Sequence, residues 1–332
     1  MSPTDWRIWS ALLAAVVLSS CSAAADPCET LKDPEPLIIA CTQSINSGKW
    51  TGRNQAMNYT NRGNGYRDKG DIDHAIADFD EAIQIDPEHV MAFNNRGAAY
   101  NYKGDRDRAL SDFNEAIRIN PKFAMAYINR GAAYGDMGYI ERAIADYNQA
   151  IRLDPKAAIA VYNRGVLYRD NGDIDHAIAD YSEAIRINPG YVMAFNNRGL
   201  AYSDKGDTDR AIADYNRAIE LDPKVAIAFS NRGAAYRAKG DLDHAISDYN
   251  EAIGINPKYV MAFNNRGNAY SNKYDFDRAI ADYNEAIRLD PKYARAFYNR
   301  SIAYKAKGDP DRAVADYNEA IRLDPKGAFN NH

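Results

Sequence analysis

The chain has 332 residues, 41 Lys and Arg against 46 Asp and Glu, and a formal net charge of −5. A hydrophobic fraction of 46% with 26% charged residues excludes global disorder, and the acidic balance argues against nucleic acid, which needs a clustered surplus of Lys and Arg. Five His and three Cys leave little material for metal or nucleophilic chemistry, so no cofactor and no enzymatic role are expected.

Residues 1–25 differ from all that follow. Arg7 precedes the apolar run Ala11 to Leu18, then Ser19-Ser20-Cys21. Eight apolar residues are too few for a hydrocarbon core of about 30 Å. They suit the central segment of a secretory signal peptide. Two cleavage chemistries fit. Leu18-Ser19-Ser20-Cys21 resembles a bacterial lipobox, with the signal ending at residue 20 and a lipid anchor on Cys21. Ala23-Ala24-Ala25 offers the small-x-small pattern of ordinary signal peptidase, with Asp26 as the mature start. Either route predicts a periplasmic protein or an envelope lipoprotein.

The segment 26–55 carries Cys28 and Cys41. Cys21 leaves the thiol pool by either cleavage, and an even pair in an exported protein reads as a disulfide. No His lies within thirty residues of Cys41, which weakens a reactive thiol.

From Ala56 a period of 34 residues sets in. Pro87, Pro121, Pro155, Pro189, Pro223, Pro257, Pro291 and Pro325 recur at that interval, and Asn-Arg recurs with the same step from Asn61-Arg62 to Asn299-Arg300. Eight units follow, at 56–89, 90–123, 124–157, 158–191, 192–225, 226–259, 260–293 and 294–327, with a truncated tail at 328–332. Each reads as two helices. In the second unit the apolar spacing predicts a helix over 90–103, a break at Gly104-Asp105, and a second helix over about 108–119, stopped by Asn120-Pro121. Asp105 and Asp107 stand where they can cap the second helix and meet its positive dipole end. Neither helix buries its apolar face alone, so neighbouring units must stack.

Numbered from Ala56, an aromatic usually stands at position four, Gly at eight, Tyr at eleven, Ala at twenty, Phe or Tyr at twenty-four, Ala at twenty-seven and Pro at thirty-two. The first unit supplies Tyr59, Gly63, Tyr66, Ala75, Phe79, Ala82 and Pro87. This pattern resembles the tetratricopeptide repeat family. Val161 and Ser301 depart from it, as does Arg at position seven. Positions eleven and twenty-four hold 14 of the 24 Tyr, which explains the composition. The resemblance implies an all-α fold, a right-handed superhelical solenoid of helix-turn-helix repeats whose first helices line a concave groove, and a partner that is a protein or an extended peptide.

The resemblance also places positions two, five, six, nine, twelve and thirteen in the groove. Position six is Asn throughout: Asn61, Asn95, Asn129, Asn163, Asn197, Asn231, Asn265 and Asn299. Such amides can hydrogen-bond an extended backbone, or satisfy local groups instead. Position two supplies Met91, Met125, Met193 and Met261, adaptable contact residues or plain core. The lysines of a carboxylate clamp are absent. Arg at position seven and Asp at twenty-three form a pair across each hairpin, or else a ligand-binding Arg row. The stretch 33–47 reads as a helix, with Cys41 and Ile45 in phase with positions twenty and twenty-four, a degenerate half repeat capping repeat one. No capping helix follows the last repeat in the sequence, so its end is a candidate for self-association.

Overall fold

The computed structural model describes residues 27–327. The signal segment, Cys21 and the tail at 328–332 lie outside them. A four-residue helix, α1 (Pro27–Thr30), and a thirteen-residue helix, α2 (Pro34–Asn46), come first. Eight helix pairs follow: α3 (Gly52–Asp68) with α4 (Ile72–Ile85), α5 (Val90–Tyr102) with α6 (Arg106–Ile119), α7 (Ala124–Asp136) with α8 (Ile140–Leu153), α9 (Ala158–Asp170) with α10 (Ile174–Ile187), α11 (Val192–Asp204) with α12 (Thr208–Leu221), α13 (Ala226–Ala238) with α14 (Leu242–Ile255), α15 (Val260–Asn272) with α16 (Phe276–Leu289), and α17 (Ala294–Ala306) with α18 (Pro310–Leu323). The fold is all-α, a solenoid of helix-turn-helix repeats. Two compact units divide the chain after Leu167, inside α9.

Local chemistry explains each boundary. The Asp105 carboxylate accepts a hydrogen bond from the Arg108 amide at 3.2 Å, so α6 starts two residues earlier than its apolar spacing suggests. Gly104 takes φ 82°, a turn conformation that costs a side-chain-bearing residue strain. Repeat seven has Tyr274 there at φ 60°, highly exposed, with its ring edge-on to Phe276. In repeat three Tyr139 replaces the capping Asp, and its side chain makes no capping bond.

Successive repeats meet at small residues: Ala92 clusters with Ala56 and Ala82 of the repeat before, and Ala99 with Ala75 and Phe79, all fully buried or nearly so. Gly97 lets the Phe113 ring lie against the helix backbone, where a Cβ would stand 2.8 Å from the ring. The Arg–Asp pairing across hairpins is present. Arg130 donates Nε to Asp146 Oδ2 at 2.8 Å and Nη2 to Asp146 Oδ1 at 2.7 Å. Its Nη1 donates to Asn114 of the preceding repeat at 2.7 Å, and its guanidinium lies 5.5 Å from the Tyr127 ring. One side chain thereby fastens a hairpin and joins it to its neighbour. The same geometry recurs at Arg62, Arg96, Arg198, Arg232, Arg266 and Arg300 with their Asp partners.

The N-terminal cap follows this logic with a shift that corrects the expected register. Leu37 and Cys41, rather than Cys41 and Ile45, occupy the buried places of positions twenty and twenty-four. Arg62 Nη1 reaches Thr42 at 3.3 Å, and Lys69 pairs with Glu35, contacts that repeats make to positions twenty-five and eighteen. The helix α2 is thus the second helix of an incomplete repeat, one turn out of phase. The extra turn is absorbed in α3, which begins at Gly52 rather than at Ala56.

Candidate functional site

Neighbouring first helices touch: α3 with α5 and α5 with α7 in one unit, α11 with α13, α13 with α15 and α15 with α17 in the other. Among the described residues of either unit, no second helix touches another second helix. Rows of helices in contact along one side and apart along the other curve towards the contacting side. The first helices therefore form the inner face of each unit.

On each first helix positions two, six, nine and thirteen share a stripe by helical spacing. In α11 these are Met193, Asn197, Leu200 and Asp204, all part-exposed or exposed, while Ala194, Gly199 and Ala201 point into the core. In α5 the stripe is Met91, Asn95, Ala98 and Tyr102, with Met91 and Tyr102 exposed. Met125 and Met261 are half-buried, and Met125 packs against the core of its repeat. The methionines are thus neither fully core nor fully free.

The position-six amides are tied into the solenoid. Asn95 donates to Asn64 at 2.9 Å, Asn129 to Asn94 at 2.9 Å, Asn231 to Asn196 at 3.0 Å and Asn299 to Asn264 at 2.9 Å. Asn61 donates to the Cys28 carbonyl at 3.2 Å. Asn197 and Asn265 accept from Asn196 and Asn264, their neighbours in sequence, and Asn163 hydrogen-bonds the Tyr147 phenol. Position five departs from the expectation of a groove residue: Thr60, Asn94, Ile128, Asn196, Ser230 and Asn264 are buried. The physical reason is the close packing of adjacent first helices, which turns position five into the seam between them. Where that residue is Asn, it becomes the acceptor for the next repeat.

Charges on the turn edge form a separate row. Lys103 pairs with Asp73, Lys205 with Asp175 and Lys239 with Asp209, each linking consecutive repeats at the exposed surface. His74, His176 and His244 each rest on the capping Asp of their own helix, with the ring against a Tyr. Among the described residues no group of three or more His, Cys, Asp or Glu is placed to hold a metal ion.

At the two ends the solenoid differs. Cys28 and Cys41 are paired, with Cα atoms 4.6 Å apart and both side chains buried beneath α2. On α17 and α18, Ile302, Val314, Tyr317 and Ile321 are exposed, Tyr317 to 42% where Tyr283 one repeat earlier is 1% exposed. The repeat pattern does not single out Arg237, a guanidinium on α13 without a carboxylate partner among the described residues. The signal was present in the neutral Ala238 and Asn272, at places where Arg67 and Arg169 meet Asp68 and Asp204.

A family profile described as "TPR repeat" matches residues 63–104, 199–240 and 233–273. Profiles described as "Tetratricopeptide repeat" match residues 90–123, 128–192, 181–213 and 264–328. Among solved structures, a chain of the APC/C hetero-tetramer Cut9–Hcn1 is 18% identical with a TM-score of 0.62, over 89% of this chain and 57% of that one. This chain thus spans 57% of the length of that one. A tetratricopeptide repeat protein from Parabacteroides merdae is 21% identical with a TM-score of 0.56, over 78% of this chain and 98% of that one. PilF of Pseudomonas aeruginosa is 19% identical with a TM-score of 0.55, over 62% and 94%. At such identities these structures show the fold. None of the curated proteins matches the chain.

Proposed function

The chain belongs to the tetratricopeptide repeat family, and from that premise we propose that it holds an extended polypeptide segment against its inner face, in the cell envelope. Its repeats make it a protein–protein interaction scaffold. The observation that carries the finer reading is the stripe at positions two, six, nine and thirteen. It lies uncovered on first helices that stand side by side, and it combines adaptable apolar contact with amide groups.

The internal bonds of the Asn row decide which variants test this. Replacing Asn231 by Ala removes an inter-repeat bond as well as a ligand contact, so its effect mixes stability with binding. Met193 and Met261 are free of that complication. Changing both to Glu should reduce capture of the partner from envelope extract about tenfold or more, on about 1 kcal/mol of apolar contact for each half-exposed Met. Thermal unfolding should be little changed. A second reading, self-association, rests on the exposed apolar face of α17 and α18. Unchanged capture by the Met variants, with loss of capture on changing Val314 and Ile321 to Lys, would transfer the function to that face.

Envelope placement rests on the pattern of residues 1–25 and is tested separately. Intact mass of protein taken from the native envelope should match a chain starting at Cys21 with a lipid-sized increment, or at Asp26. A mature chain still starting at Met1 overturns export.

A further inference from the structure

Arg237 stands at position twelve of its repeat, on α13. At the same position Arg169 is neutralised by Asp204 of the next repeat, at 2.9 Å. The corresponding residue opposite Arg237 is Asn272, and among the described residues Arg237 enters no ion pair. Its Nε is buried without a hydrogen-bond partner, while the side chain as a whole keeps some exposure. Tyr249 of α14 is wholly buried, and no acceptor among the described residues takes its phenol proton. Burial pushes that phenol up to about 12, while the charge of Arg237 and a side-chain hydrogen bond from it oppose the rise, so the two groups are neighbours.

The equivalent phenols of repeats five and seven have partners. Tyr215 meets the Ser203 hydroxyl at 3.4 Å, and Tyr283 donates to Asn268 Oδ1 at 2.8 Å. The second of these bonds engages the Asn268 carbonyl and leaves its amide N–H groups as donors. Asn268 stands at position nine of α15, the first helix that lies against α13. Guanidinium, phenol and amide are all able to donate, and no carboxylate balances them. A buried donor without an acceptor costs free energy, so this cluster favours a ligand that brings an anionic acceptor.

We propose that the inner face of α13 and α15 holds a carboxylate side chain, Asp or Glu, of a segment crossing repeats six and seven, with Arg237 as its cation and Tyr249 and Asn268 as supporting donors. The proposal rests on the reading of the inner face as a peptide surface. A side chain rather than a chain terminus is specified because α11 and α17 continue the face on either side, so a segment passes through. The site differs from a lysine clamp, since its cation comes from position twelve and its phenol from the second helix.

The test uses the full chain and three small probes: N-acetylglutamate N-methylamide, its glutamine counterpart, and N-acetylalanine. The Arg237 Nε–H resonance, assigned by its loss in Arg237→Lys, is followed by NMR. The blocked glutamate should give a saturable shift and the glutamine counterpart none. Arg237→Gln should weaken binding about 10- to 100-fold, the worth of a hydrogen bond to a charged group. Tyr249→Phe should weaken it less, and added salt should weaken it in the native chain. Absence of a saturable shift, equal binding of the glutamine counterpart, or full affinity in both variants overturns the site. Tighter binding of N-acetylalanine overturns the side-chain assignment. If the blocked glutamate binds while the Met193 and Met261 changes leave capture untouched, the carboxylate site stands and the inner-face function falls.

Discussion

Replacing Asp214 by Ala is expected to destabilise the second unit by about 3 kcal/mol, the lower part of the range for breaking a buried ion pair. Arg198 donates Nε and Nη2 to the two Asp214 oxygens at 2.8 and 2.7 Å, and the Asp is buried. Those bonds hold the Arg198 guanidinium above its ordinary pKa. Without the carboxylate, a largely buried cation keeps its Ser182 contact at 3.0 Å and the Phe195 and Tyr202 rings. The lower figure applies because 19% of the Arg198 side chain remains exposed. Urea unfolding, with hydrogen exchange over α11 and α12, measures the effect. Asp209→Ala is the control, since it breaks only the exposed pair with Lys239 and should cost under about 1 kcal/mol. Equal losses in the two variants would remove the special status of the inner pair. Changing Arg198 to Met and Asp214 to Leu together should restore much of the stability, because the penalty lies in the orphaned charge.

Reduction of the Cys28–Cys41 pair is expected to cost about 3 kcal/mol, the loop-entropy figure for a closed loop of roughly this size. The pair separates thirteen positions in sequence and fastens α1 to α2. In a solenoid each repeat leans on its neighbours, so the loss should appear in the cap and repeat one, with later repeats spared. Hydrogen exchange over α2 and α3 should rise on reduction, because Asn61 leans on the Cys28 carbonyl and Arg62 on Thr42. Two thiols open to alkylation without reductant in native envelope protein would end this expectation.

Repeat boundaries, the helix pair and the Arg–Asp pairing were legible because each is a local or strictly periodic matter. A Gly-Asp turn ends one helix and caps the next whatever surrounds it, and a residue repeated every 34 positions meets the same neighbours each time. The N-terminal cap was read one turn out, since four extra residues before Ala56 break that periodicity. Contacts from Arg62 and Lys69 reveal the true register, and only packing supplies them.

The Asn row shows where sequence stops. An amide at position six is equally suited to a peptide backbone and to the next repeat, and the residue type cannot choose between them. Tertiary packing chooses in part, because adjacent first helices approach closely enough to bury Asn94, Asn196 and Asn264 as acceptors in the seam. Arg237 makes the same point in reverse. The sequence alone determined the solenoid and the absence of a lysine clamp. Only the folded chain showed that one guanidinium and one buried phenol lie together without an acceptor, since their meeting depends on two helices and the neutral residue at Asn272. Periodicity fixes what every repeat shares, whereas function of this kind depends on what a single repeat lacks.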